Sequence, residues 1–238
     1  MKGILRGNTP LPRYQETWDV DVVLKYFDSL PNNKSLKLLS KKLAMLLTIA
    51  APKRVSETAR LDKNFMQIIP NGIKFYLPGL SKTQKDCKSR EIFYANYQQN
   101  PKLCVVDCLL EYCERTKSFR DPDNSNDPLL RTIIKPHKGV TANTVSNWIK
   151  DVMSHAGIDT TRFKAHSTRS AATSKAFRNG TPIDDVLMMA DWSHAGTFFR
   201  FYCRSANESS GFSKTVLDIG QCMSFEPAML YLMMFSEI

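Results

Sequence analysis

Apolar side chains along this chain recur mostly three and four positions apart, the spacing of helices with one buried face. Asp19 stands where it can cap a helix running to about Leu30, with Val22, Val23, Tyr26, Phe27 and Leu30 on its inner side. After the Pro31-Asn32-Asn33 break, Ser35 to Ala50 places Leu36, Leu39, Leu43, Leu46, Leu47 and Ala50 on one face. That pattern predicts a core helix with a lysine-bearing outer face. Pro52 opens a short helical segment near residues 53 to 61. The period then changes: Gly72 to Leu77 and Glu91 to Tyr97 are rich in Ile, Phe and Tyr and read as two strands. Between them lies a polar, basic hairpin tip, Ser81 to Asp86. Helix spacing returns from Leu103 to Arg115, and Ser118 to Asp127 is a polar loop. Thr141 caps a helix that turns Val145, Trp148, Ile149, Val152 and Met153 inward and ends at Gly157. Three more helices follow: one from about His166 to Arg178, ending at Gly180, one opened by Thr181-Pro182, and one holding Phe198, Phe199 and Tyr202. The layout is α+β, mostly helical with a small antiparallel sheet.

Residues 1–16, with Pro10 and Pro12, read as an arm or linker, and no internal repeat is present. With 238 residues and 42% hydrophobic side chains the chain can build a packed core, which sets aside a wholly disordered or collagen-like protein. Mean hydropathy of −0.31 and the absence of a long apolar run exclude a membrane-spanning class. The N-terminal stretch has no apolar region of the secretory kind, so the expectation is a soluble, intracellular protein. Charge narrows the partners: the net charge is +10, with −3 on residues 205–238 and therefore +13 on the first 204. A basic body of this kind favours a polyanion. The six cysteines form no paired framework. Cys104, Cys108 and Cys113 follow helical spacing without a CxxC pair, which favours buried free thiols over a metal site.

Four segments can handle a phosphate. The first is Lys53-Arg54-Val55-Ser56-Glu57, where an arginine near a helix start is braced by a carboxylate three residues on. The second is His166-Ser167-Thr168-Arg169, whose end residues share one helix face. The third runs from Trp192-Ser193-His194 to Tyr202, and the fourth is the lysine-rich hairpin tip with Lys82 and Lys85. Each has an ordinary structural reading: a local ion pair, an unremarked helix start, an aromatic core helix containing Phe198 and Phe199, and a solvated turn.

Taken together and in this order, the four segments resemble the tyrosine recombinase (phage integrase-like) family. That family shares an Arg in an RxxE segment, a Lys on a β-hairpin, an HxxR box, a His or Trp, and a C-terminal nucleophilic Tyr. The matching residues are Arg54 with Glu57, Lys82, His166 with Arg169, Trp192 and Tyr202. The WS…TFxxFY ending is similar to that of eukaryotic retroelement and Crypton-type recombinases. The resemblance covers about residues 14 to 218.

The resemblance implies a mostly helical catalytic domain over residues 17–204, followed by a docking helix and tail over 205–238, with Gly211 to Leu217 as the docking element. It implies a DNA strand transferase that cuts and rejoins double-stranded DNA through a 3′-phosphotyrosyl intermediate, without cofactor or metal. Tyr202 would attack, and Arg54 and Arg169 would donate to the non-bridging oxygens. Lys82, or Lys85 if the hairpin register differs, would protonate the leaving 5′ oxygen. His166 would assist proton transfer or donate to the phosphate, Trp192 would donate one hydrogen bond or position the tyrosine helix, and Glu57 would brace the arginines. Homo-oligomers on DNA would form through the C-terminal segment, and in a eukaryote the protein would be nuclear. The sequence departs from the family in three ways. Ser170 follows the HxxR box where many relatives carry His or Arg. His194 competes with Trp192 for the His/Trp position. The helical core-binding domain that usually comes first is not seen before the catalytic segment, so a non-catalytic DNA-binding remnant is the alternative reading.

Overall fold

The computed structural model describes residues 16–77, 90–121 and 125–201, all within one compact unit of the chain. Helix α1 (Val20–Ser29) begins where Asp19 accepts a hydrogen bond from the Asp21 backbone N–H. Helix α2 (Leu36–Ala50) begins where the Ser35 hydroxyl accepts from the Leu38 N–H. Each such cap is worth about 1 kcal/mol against alanine. A four-residue helix, α3 (Val55–Thr58), leads to a three-stranded antiparallel meander: β1 (Met66–Ile69), β2 (Gly72–Leu77) and β3 (Arg90–Ala95). The helices α4 (Val105–Arg115), α5 (Ala142–His155), α6 (Ser167–Arg178), α7 (Ile183–Met189) and α8 (Ala195–Phe201) complete the described α-helices. The fold is thus mostly helical with a small antiparallel sheet.

Helix α2 is the axis of the core and packs against α4, α5 and α6. Its Leu39, Leu43, Met45 and Leu47 are fully buried. The sheet closes on its far end, where the buried Tyr94 hydroxyl donates to the Leu47 carbonyl at 3.3 Å and Tyr94 meets Phe75 edge to face. The tight turn into β2 needs Gly72, because a Cβ there would lie 2.1 Å from the Tyr94 carbonyl oxygen. Asp127 joins the loop after α4 to the body, accepting from Arg131 at 2.8 Å and also from Arg120. Cys104, Cys108 and Cys113 are buried free thiols, and burial pushes the Cys108 thiol up to about 12.

Several expectations need correction. Helix α2 has no lysine-bearing outer face along its middle: residues 42–48 are buried all round, Lys42 among them, because elements pack on every side. Ala50 is exposed at its end, and Val22 of α1 faces solvent. Trp148 lies only half inward, packed on the margin of the core. Of the α8 pair, Phe198 is fully buried but Phe199 is half exposed, since a single-layer helix can turn only one of two neighbouring rings inward. Strand β1 has no counterpart in the sequence reading; it is an edge strand with no buried residue and so no burial alternation to betray it. Among the described residues no helix is long and apolar enough to cross a membrane.

Candidate active site

The segment after α2 turns sharply at Ala51 and Pro52 and sets Arg54 at the N-cap of α3 with extended backbone. Glu57, three residues on and only 3% exposed, accepts from the Arg54 backbone N–H at 2.8 Å and from its Nη1 at 3.4 Å. One carboxylate therefore caps the short helix and holds the guanidinium.

Helix α6 carries the other arginine. His166 is its N-cap residue and Arg169 lies in its first turn. The helix start is tied to the beginning of the fold, where the buried Trp18 indole N–H donates to Ser167 Oγ at 2.9 Å. Ser167 Oγ itself donates to the Lys164 carbonyl at 2.7 Å. Arg169 reaches toward the turn between α7 and α8: its Nη2 donates to the Ala190 carbonyl, and its guanidinium carbon sits 4.7 Å above the Trp192 ring. That cation–π contact and the Ala190 carbonyl orient the plane of the guanidinium.

Arg54, His166 and Arg169, far apart in sequence, line one open pocket of about 600 Å³. Lys53, Lys150 and Lys164 line it too, and no carboxylate does so among the described lining residues. Such a cavity concentrates positive potential and suits an anion held by several charged donors. Sequence reasoning singled out the arginines and the histidine but assigned nothing to Lys150, Lys164 or Ser146. Lys150 and Ser146 lie four apart on α5, a helical spacing that shows the two share a face but not which neighbour that face meets.

Trp192 stands behind Arg169 and packs on Phe198 with ring centroids 5.8 Å apart. His194 is exposed at the start of α8, where its carbonyl accepts from the Thr197 N–H at 3.1 Å, and it is not a lining residue. Lys82, Lys85 and Tyr202 lie outside the described residues; α8 is described up to Phe201, the position before Tyr202.

Several solved structures have a similar fold at low sequence identity. The XerH site-specific recombinase bound to its difH substrate in a pre-cleavage complex gives a TM-score of 0.58 at 14% identity, over 79% of this chain and 49% of that one. The XerA recombinase gives 0.57 at 16% identity, over 87% and 63%. A lambda integrase dimer bound to a COC′ core site gives 0.50 at 14%, over 80% and 48%. The chain thus spans about half to two thirds of the length of these proteins. No curated protein matches it. The phage integrase family model matches residues 19–209, which contain the RxxE segment, the HxxR box and the Trp192 turn. With that span and this fold, the chain belongs to the phage integrase family, the tyrosine recombinases.

Proposed function

We propose that the protein is a site-specific recombinase or integrase that cuts and rejoins DNA strands through a 3′-phosphotyrosyl intermediate. One observation carries the reading: Arg54, His166 and Arg169 line one pocket, without a carboxylate among its described lining residues, that is broad enough for a backbone phosphate with its flanking sugars. In the reaction the Tyr202 oxygen attacks the scissile phosphorus, the bond to the 5′ oxygen breaks, and a free 5′-hydroxyl is released. A second 5′-hydroxyl then attacks the phosphotyrosine and restores both the phosphodiester and the phenol. The phenol, with an ordinary pKa of about 10, must lose its proton during attack, a task given to His166. Lys82, or Lys85, protonates the leaving 5′ oxygen.

Arg54 and Arg169 meet the charge that grows on the non-bridging oxygens, and their fixed guanidinium planes make the site preorganised. Trp192 holds the plane of Arg169 and stands at the head of the helix leading to Tyr202. The spacing from Trp192 to Tyr202 supports a kinship with eukaryotic retroelement and Crypton-type recombinases, and hence a nuclear place of action. Residues 17–204 are the catalytic domain. The segment after it, residues 211–217 in particular, docks into a neighbouring protomer when the protein assembles on double-stranded DNA.

The test is a nicked suicide duplex that traps the covalent intermediate. The expected result is a denaturation-resistant protein–DNA adduct with wild type and none with Tyr202→Phe. Absence of an adduct on every duplex the protein binds would overturn the enzymatic reading and leave a non-catalytic DNA-binding remnant.

A further inference from the structure

Lys53 precedes Arg54 and is almost fully buried, an unusual place for a lysine. Its Nζ meets Asp191 Oδ1 at 2.9 Å, with the two side chains 5% and 23% exposed. Asp191 occupies the turn between α7 and α8 with φ of +51°, a left-handed conformation that costs stability glycine would not lose. Aspartate is among the few side chains besides glycine that this conformation accepts readily, so the turn can carry a charge. Its two sequence neighbours are the residues Arg169 touches: Ala190 through its carbonyl and Trp192 through its ring. The turn thus carries a carboxylate beside the guanidinium that must meet the phosphate.

We propose that Lys53 is a positioning residue that sequesters the Asp191 carboxylate, so that Arg169 is directed at the phosphate instead of being neutralised by its own neighbour. The same ion pair ties the Arg54 segment to the turn that begins α8. Lys53 thereby sets the charge and the spacing of the two arginines without touching the reacting atoms. This inference rests on the reading of the pocket as the scissile-phosphate site.

The experiment compares wild type, Lys53→Met, Asp191→Asn and the double variant in single-turnover adduct formation at saturating suicide duplex, with DNA affinity measured separately. Asparagine tolerates the left-handed backbone, so Asp191→Asn removes the charge alone. Loss of the tie slows Asp191→Asn about tenfold, whereas Lys53→Met also releases the carboxylate onto Arg169 and falls by about 10²-fold, the scale of losing one transition-state donor. The double variant returns to the Asp191→Asn rate, a rescue of about tenfold over Lys53→Met, and affinity for DNA changes little because most backbone contacts persist. A purely structural pair predicts no rescue. Equal rates for Lys53→Met and the double variant would therefore sink the proposal.

If Lys53→Met does not fold, Asp191→Gly replaces it. Glycine accepts the turn without strain but leaves the buried Lys53 without the Asp191 carboxylate, so the thermal midpoint falls, while adduct formation, read well below that midpoint, drops about tenfold through loss of the tie. A wild-type rate for Asp191→Gly overturns the inference. If wild type itself gives no adduct, the strand-cleaving reading fails by itself. The latch is then judged by the rise in thermal midpoint that inorganic phosphate produces, which needs Arg169 but no nucleophile. Loss of that rise in Lys53→Met and its return in the double variant support the latch; equal rises in all four proteins refute it.

Discussion

Arg54 and Arg169 reach the same pocket by different means, and the difference decides what a substitution at each would do. Glu57 grips both the backbone and the guanidinium of Arg54, while the contacts of Arg169 include the Ala190 carbonyl and the Trp192 ring face. A lysine at either position keeps the charge but loses the flat, forked donor set. Arg54→Lys and Arg169→Lys are each expected to lower the rate of adduct formation by about 10²- to 10³-fold while duplex affinity changes little. Rates measured at saturating duplex, set beside binding isotherms, check this. The rest of the grip divides at Trp192: Trp192→Phe keeps a ring under the guanidinium and should retain about tenfold more activity than Trp192→Ala.

At the scale of elements, the helices that were readable from the chain are those whose caps and inward faces agree. Asp19, Ser35 and Thr141 each accept the hydrogen bond their position promises. What was not readable depended on neighbours. Strand β1 pairs only with β2 and buries nothing, so Met66 to Ile69 shows no alternation. Lys42 of α2 looks like part of a solvent face until α4 is laid against it, whereas Lys37 does stay exposed. Arg54, His166 and Arg169 stood out in the sequence through residue type and spacing, and the fold brings all three to one pocket. Lys150, Lys164 and the Lys53–Asp191 pair were not, since each becomes meaningful only through a contact between distant segments.

Lys42 turns this into a measurable consequence. It is 4% exposed, has no ion-pair partner among the described residues, and burial holds its pKa below the ordinary lysine value. Lys42→Met keeps the volume and removes the charge, so it should stabilise by about 1 kcal/mol. The thermal midpoint should then rise by about 2–4 °C, as read by calorimetry. A fall in midpoint would mean that the ammonium contributes favourably after all.

For the whole molecule, the pH dependence of stability should centre on Asp127, which joins the loop after α4 to the body. Burial works against its charge, but hydrogen bonds from Arg131 and Arg120 outweigh that and hold its pKa below the ordinary carboxylate value. A depressed carboxylate contributes stability that is fully present above the unfolded-state pKa, about 4, and is lost as pH falls through the folded value. Asp127→Asn should therefore destabilise by about 3 kcal/mol at neutral pH, leaving two arginines without their shared partner. The gap between wild type and variant should narrow in acid below about pH 4, when unfolding midpoints are compared across pH. A gap that does not change with pH would assign the effect to packing.

Lys150, Lys164 and Arg169 line one pocket with Arg54, whose charge Glu57 partly offsets, and that gathering has a cost while no anion is bound. Like charges held together by the fold repel one another, and only folding brings α2, α5 and α6 close enough for that repulsion to arise. The molecule is therefore under electrostatic tension centred on its own site, and any multivalent anion that enters relieves it. Stability and occupancy become linked quantities: sulfate or a short duplex should raise the unfolding temperature more than an equal ionic strength of chloride. In that sense a bound anion would complete the fold.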